Sequence, residues 1–300
     1  MTIETLSERF SGAGISFRAD EAGRPVLELR HSNGNVSISL YGAHVLDYRT
    51  AAGEEVLWLS REALFAPGKP IRGGIPICWP WFGPHRDDEA KPAHGLARIA
   101  DWSLEAVSVN PESDVAEATL ILRDSDWSRS LWPYRFELVY RVRLLSSALE
   151  IQLSTENTGS EALSLTSALH TYFAVASLAD TAVTGLNGVS YLDQLDGMTL
   201  KEQVGDVKFA AEVDRIYVDA PGETGLSGAL CGKPIRVNSR GSRSTVVWNP
   251  WIEKSKRMAD YGDQEYHEMV CIETANAGPD RISLAPGERH QLAAVITVGA

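Results

Sequence analysis

The sequence predicts an all-β protein, a large sandwich or barrel, on two observations. Apolar and polar residues alternate with a period of two along most of the chain, and amphipathic helices of ten or more residues are nearly absent. Many strands with few helices oppose a parallel α/β sheet, which needs a crossover helix between strands. In chain order, VSISLYG (36–42) alternates Val36, Ile38 and Leu40 with Ser37 and Ser39, and EATLIL (117–122) follows the same rule. ELVYRVRLL (137–145) and LEIQLSTEN (149–157) are alternating strands joined across Ser146-Ser147, a spacing that predicts a hairpin. ALSLTSALH (162–170), STVVW (244–248), MVCIET (269–274) and QLAAVITV (291–298) complete the strand set. Short helices are expected at Ser60–Ala63 and, after Pro250, at Glu253–Ala259.

The segment 66–95 is rich in glycine and proline but also carries Ile71, Ile75, Ile77, Trp79, Trp81 and Phe82. That is too much apolar surface for a disordered linker, so a long structured loop is expected, of the kind that carries binding sites on β scaffolds. No internal repeat or low-complexity tract divides the chain. The expectation is one domain over 1–300, with 1–35 the part least determined by pattern.

Composition narrows the function. Of 300 residues, 28 are basic and 40 acidic, a formal charge of −12, which opposes nucleic-acid binding through phosphate neutralisation. A small anionic substrate is compatible with that charge, because a few placed arginines suffice to hold it. Cys78, Cys231 and Cys271 show no metal-type spacing, and two lie in apolar runs, as buried reduced thiols do. No basic-then-apolar leader begins the sequence and no run approaches the roughly 20 apolar residues of a membrane span, so a cytoplasmic protein without membrane contact is expected. Oligomer state is not encoded in these patterns; a monomer is the expectation.

Phosphate-loop, dinucleotide-fold, HExxH and GxSxG motifs are absent, so no cofactor is expected. Three residues stand out. His170 closes an apolar strand before Thr-Tyr-Phe, His94 sits beside Gly95 in PAHGLAR, and Glu273 follows Val270, Cys271 and Ile272 in a strand. Each alone suits a structural role as well as a chemical one. Together they supply an imidazole acid and a carboxylate base, the complement for moving protons on a sugar. The same set is a legitimate metal-ligand combination, but no short spacing joins its members, so no metal is expected. Trp79, Trp81, Trp248 and Trp251 sit in proline-stiffened turns, where core packing and stacking on a sugar face are both open. Arg72 and Arg98 lie in glycine-containing loops and are candidates for anion binding.

Eight segments closely resemble the glucose-6-phosphate 1-epimerases of the aldose 1-epimerase superfamily. They are YGAHVLDYR (41–49), PIRGGIPICWPWFGPH (70–85), AHGLAR (93–98), LHTYF (169–173), YLDQLDG (191–197), EVDRIYV (212–218), VVWNPWIEKSKRMAD (246–260) and CIETANA (271–277). The resemblance runs in order from about residue 36 to the C-terminus. It implies a galactose-mutarotase-like β-supersandwich without cofactor, acting on a hexose 6-phosphate. It further implies that His170 donates a proton to the ring oxygen, that Glu273 takes one from the anomeric hydroxyl, and that Asp214 binds sugar hydroxyls. Arg72 and Arg98 are then the phosphate contacts, and His94 lies beside the pocket. The sequence departs from the family pattern at Ala93, where relatives carry a glutamine that contacts substrate, and at CIETANA, which replaces a CIEPGH-like form. Neither departure touches the proton-transfer pair.

Anomer exchange requires O1 to lose a proton while O5 gains one, so that C1–O5 opens, C1 rotates and the ring recloses on its other face. The expectation is that burial raises the Glu273 pKa and that the neighbouring carboxylate raises that of His170. Two other readings remain: a sugar-binding protein without turnover, and an epimerase of an unphosphorylated aldose.

Overall fold

The computed structural model describes residues 1–299 other than Pro111 and Ser113. Its strands form two large sheets, a four-stranded sheet and a small two-stranded ladder, and every ladder among the described residues is antiparallel. The nine-stranded sheet contains the expected hairpin: Phe136–Leu145 pairs with Ala148–Asn157, and Leu145 faces Ala148 across the two-residue turn. Burial alternates along Phe136–Leu145, with Phe136, Leu138, Tyr140, Val142 and Leu144 inside, as expected for a sheet covered on one face.

The eight-stranded sheet is covered on both faces. Every residue of Ser244–Asn249 and of Met269–Asn276 is buried, which explains why these strands read as apolar runs with only Ser, Thr, Asn and Glu interspersed. Across this sheet Val213–Val218, Ser244–Asn249, Met269–Asn276, Ser167–Leu169 and Ile77–Cys78 are successive neighbours. One apolar core reaches from Leu6 to Ile296 and takes in Val247, Val270 and Ile272 of this sheet with Leu153, Leu292 and Ala294 of the nine-stranded one. Cys78, Ala168, Ile216, Val246 and Ala275 form a separate cluster. These residues are in register across the strands: Ala168 opposes both Cys78 and Ala275, and Ile216 opposes Val246. They therefore occupy one face of the sheet, away from the main core.

Several expectations are corrected. The run 162–170 is two strands, Leu163–Leu165 and Ser167–Leu169, which belong to different sheets. The break falls at Thr166, whose N–H donates to Pro80 O (3.0 Å) and whose hydroxyl accepts from Phe82 N–H (2.9 Å), so loop contacts replace ladder bonds there. Ser60–Ala63 is a turn and not a helix. The buried Glu265 carboxylate accepts from the Ser60 hydroxyl (2.6 Å) and the Arg61 N–H (2.9 Å), fixing the segment from outside. The later helix spans Trp251–Ser255, beginning two residues and ending four residues earlier than expected, and it ends where the Ser255 hydroxyl donates to Ile252 O and Asp263 O. Short helices also form at Ile3–Arg9 and at Asp126–Leu131, the latter closed by a reciprocal Ser125–Ser128 capping box. Among the described residues no helix is long and apolar enough to cross a membrane.

Candidate active site

Strand periodicity carries the separate face of the eight-stranded sheet forward to polar residues. Two positions beyond Ile216, Val246, Ala168 and Ala275 lie Asp214, Trp248, His170 and Glu273 respectively, so all four rise from that same face. They line a cavity of about 350 Å³ together with Arg72, His94, Arg98, Gln194, Lys254, Met258, Phe82 and Ala93. All six site residues expected from the sequence thus meet in one hollow. A more open hollow of about 440 Å³ between Ser103, Arg123 and Trp127 gathers no comparable set of convergent charges.

Two glycine-containing loops complete the walls. At Gly74 (φ +59°) an added Cβ would lie 2.1 Å from Val45 O, and at Gly95 (φ +77°) it would lie 2.0 Å from Trp79 O. Only glycine permits both the left-handed backbone and the contact. The first approach seats Arg72 above the sheet, while the second brings His94 and Arg98 over it. His94 itself is left-handed (φ +61°) and exchanges bonds with Gly83: its N–H donates to Gly83 O (2.6 Å), and Gly83 N–H donates to His94 Nδ1 (3.3 Å). With Nδ1 accepting, Nε2 carries the proton, so neutral His94 is a hydrogen-bond donor.

His170 Nδ1 lies 3.4 Å from Glu273 Oε1, and the two side chains are 8% and 1% exposed. Glu273 Oε2, His170 Nδ1 and Arg98 Nε are buried without a protein hydrogen-bond partner among the described residues. Such groups cost free energy in a folded protein and are characteristic of sites that complete their bonding with a ligand. The His170 ring stacks on Tyr172 at 4.7 Å with 9° between planes and meets Trp248 edge-on at 6.0 Å. Trp248 therefore walls the cavity, whereas Trp79 is wholly buried against Phe136 and Trp132.

Electrostatics corrects one expectation. Burial, reinforced by the charge of Asp214, raises the Glu273 pKa well above the carboxylate range. Burial also dominates at His170 but pushes its pKa down, and Arg98 and Arg72 push it further. The expected rise at His170 fails because burial disfavours the imidazolium and the two guanidinium charges add to that effect. Burial consequently shifts the pair's proton toward Glu273 and away from the His170 imidazole.

Arg72 is engaged before any ligand arrives. Its Nε and Nη2 donate to Asp260 (3.0–3.3 Å), and its Nη1 donates to the Tyr172 hydroxyl (3.1 Å). Arg98, 9% exposed, donates among the described residues only to Ala93 O, at 2.8 Å. Asp214 accepts from Gln194 Nε2 and from Lys254 Nζ (3.4 Å). The sequence reading missed Asp260, Tyr172, Gln194 and Lys254 as individual residues, although each lies within a segment singled out there. Potential metal ligands of His170, Cys271 and Glu273 approach within 4.8 Å of one another. The set is a poor host for a dication: burial holds Cys271 and Glu273 in their protonated forms, and Arg98 acts electrostatically on both His170 and Glu273.

Comparison with known proteins agrees with this geometry. The aldose 1-epimerase family profile matches residues 25–297. A Cenchrus ciliaris protein with the provisional name glucose-6-phosphate 1-epimerase is 40% identical over 259 residues, 84% of this chain and 77% of that one. An Escherichia coli K12 protein of the same provisional name is 36% identical over 250 residues, 82% and 81% of the two chains. The crystal structure of a provisionally named mutarotase from Salmonella typhimurium superposes with a TM-score of 0.88 at 30% identity, covering 96% and 95%. Galactose 1-epimerase from Lactobacillus acidophilus, at 15% identity and a TM-score of 0.72 over 95% and 99%, shares the fold.

Proposed function

The chain belongs to the aldose 1-epimerase family, and from that premise we propose that it interconverts the α and β anomers of a hexose 6-phosphate, with glucose 6-phosphate as the first substrate to test. The observation that carries this reading is the buried His170–Glu273 pair, 3.4 Å apart, in one cavity with Arg72 and Arg98. A pure binding site has no use for an imidazole and a carboxyl buried side by side with polar atoms left unpaired. Two arginines in one cavity suit a substrate that carries a phosphate dianion.

In the forward step Glu273 as carboxylate takes the O1 proton, C1–O5 breaks to leave a C1 aldehyde, and the His170 imidazolium protonates O5. Glu273 then holds a proton beside a neutral imidazole. This is the state that burial favours in the resting pair, so the site is electrostatically matched to the open-chain intermediate. The cyclic substrate needs the opposite tautomer, with the single shared proton on His170. A phosphate dianion near Arg98 and Arg72 offsets the part of His170's depression that the two guanidinium charges add to burial, and so favours that tautomer. After rotation about C1–C2 the same transfers run backwards on the other face. Each proton transfer contributes roughly 10²–10⁴-fold, enough for a reaction that already proceeds in water.

His94 donates to a sugar oxygen, Asp214 accepts from sugar hydroxyls, and Arg72 and Arg98 face the phosphate. The chain is proposed to work as a single unit over 1–300 and as a monomer. Cytoplasmic surroundings suit its three free, buried cysteines. The test is NMR exchange spectroscopy on glucose 6-phosphate with substoichiometric protein. Catalysed cross-peaks between the anomers support the reading, and exchange no faster than in buffer overturns it.

A further inference from the structure

Asp214, Gln194 and Lys254 form a polar cluster on the cavity wall. Gln194 Nε2 donates to Asp214 Oδ1, while Lys254 Nζ lies 3.4 Å from Asp214 Oδ2 and 3.0 Å from Glu212 Oε1. A carboxylate only accepts, so the Gln194 NH₂ must face Asp214, and the amide oxygen is the group left over. Among the described residues that oxygen receives no protein donor, although Gln194 lines the cavity.

Sheet order places this cluster relative to the chemistry. Asp214 stands on Val213–Val218, two strands to one side of Glu273, and His170 follows Ser167–Leu169 on the other side. Neighbouring strands are about 4.8 Å apart, so the three strands are bridged not by the ring alone but by side chains that converge on one cavity, with His170, Glu273 and the cluster in that order across the sheet. With O5 at His170 and O1 at Glu273, the next ring atom leading away from O5 is C2.

We infer that Gln194 is a specificity-determining residue that reads the hydroxyl at C2, accepting its proton through the amide oxygen while holding Asp214 in place for the same edge of the ring. This inference rests on the epimerase reading above. Lys254 bridges Asp214 and Glu212 and offsets one of their two charges, so the C2 edge is recognised by a fixed polar surface and not by a loose anion.

The experiment compares kcat/KM for glucose 6-phosphate and 2-deoxyglucose 6-phosphate in the parent enzyme and in Gln194→Leu. One hydrogen bond within a charged cluster is worth roughly 10- to 100-fold, so the parent should prefer glucose 6-phosphate by that factor. Gln194→Leu should lose about 10-fold on glucose 6-phosphate and less than about 2-fold on the deoxy sugar, which has no hydroxyl to miss. Equal losses on both sugars would overturn the inference and make Gln194 a support for Asp214 alone, as would a parent indifferent to the C2 hydroxyl. If the parent exchanges glucose and neither phosphosugar, the phosphosugar reading fails separately. The same comparison with glucose and 2-deoxyglucose then decides for or against Gln194.

Discussion

Tyr172 lies flat against His170, with ring centroids 4.7 Å apart and 9° between planes, and the Tyr172 hydroxyl accepts from Arg72 Nη1 at 3.1 Å. One aromatic side chain thus touches the proposed acid and a proposed phosphate ligand together. Tyr172→Phe keeps the stack and removes the acceptor. The expected result is a KM for glucose 6-phosphate raised about 10-fold, the weight of one hydrogen bond to a charged group, with kcat within about 2-fold of the parent. Steady-state kinetics checks it. A collapse of kcat instead would place the tyrosine hydroxyl in the proton path.

Glu273→Gln separates chemistry from stability. Removing the base should lower kcat by roughly 10²-fold or more while substrate still binds. Thermal stability should move the other way. The folded pKa of Glu273 is raised above the unfolded value, so the stability it contributes is complete below the unfolded pKa of about 4.5 and is lost as pH rises through the folded pKa. Glutamine does not titrate. The Tm of Glu273→Gln relative to the parent should therefore climb with pH, which melting curves across neutral and alkaline pH would reveal. A Tm difference independent of pH would refute a protonated carboxyl in the resting fold.

The pH–rate profile follows from the same pair. The reactive form carries one proton on the two groups. Activity should fall on the acid side only when the depressed imidazole takes a second proton, and on the alkaline side when the raised carboxyl loses the single one. A plateau in kcat/KM extending below the ordinary histidine pKa of about 6.5 and well above the ordinary glutamate value is expected.

Phosphate should act on the chemistry as well as on binding, because Arg98 and Arg72 depress His170 in its absence. Free phosphite added to the enzyme with unphosphorylated glucose should raise the exchange rate, on the order of 10-fold at saturation, by restoring the imidazolium. Arg98→Ala should abolish that activation and weaken use of glucose 6-phosphate roughly 10- to 100-fold. Saturation-transfer NMR with and without phosphite reads the effect. No activation would mean that the phosphate contributes only to affinity.

Gly95 and Gly83 share a left-handed backbone, at φ +77° and +76°, but differ in surroundings. An added Cβ at Gly95 would strike Trp79 O at 2.0 Å, whereas at Gly83 it meets nothing within 4 Å. Gly83→Ala should cost about 1 kcal/mol of backbone strain, and Gly95→Ala roughly 3 kcal/mol or more, as the loop carrying His94 is forced off the sheet. Denaturant unfolding of the two variants provides the comparison. Equal losses would show that the loop gives way without cost.

The all-β class and the hairpin from Phe136 to Asn157 were legible in the sequence because alternation at half-covered strands is a local consequence of facing water on one side. The residues that line the cavity were legible as motifs for a related reason: Gly74 and Gly95 leave local marks wherever backbone must approach backbone. Relations between distant segments were not legible. The break at Thr166 depends on Pro80 and Phe82, and the turn at Ser60 depends on Glu265, some 205 residues away. Asp260 lay inside a recognised segment, but nothing local marked it as the partner that binds Arg72 from 188 residues away. Likewise the sign of the His170 shift could not be read from its neighbours in sequence. It was decided by how deeply the fold buries the ring and by which charges it brings near, since desolvation and Coulomb energy depend on distance in space and not along the chain.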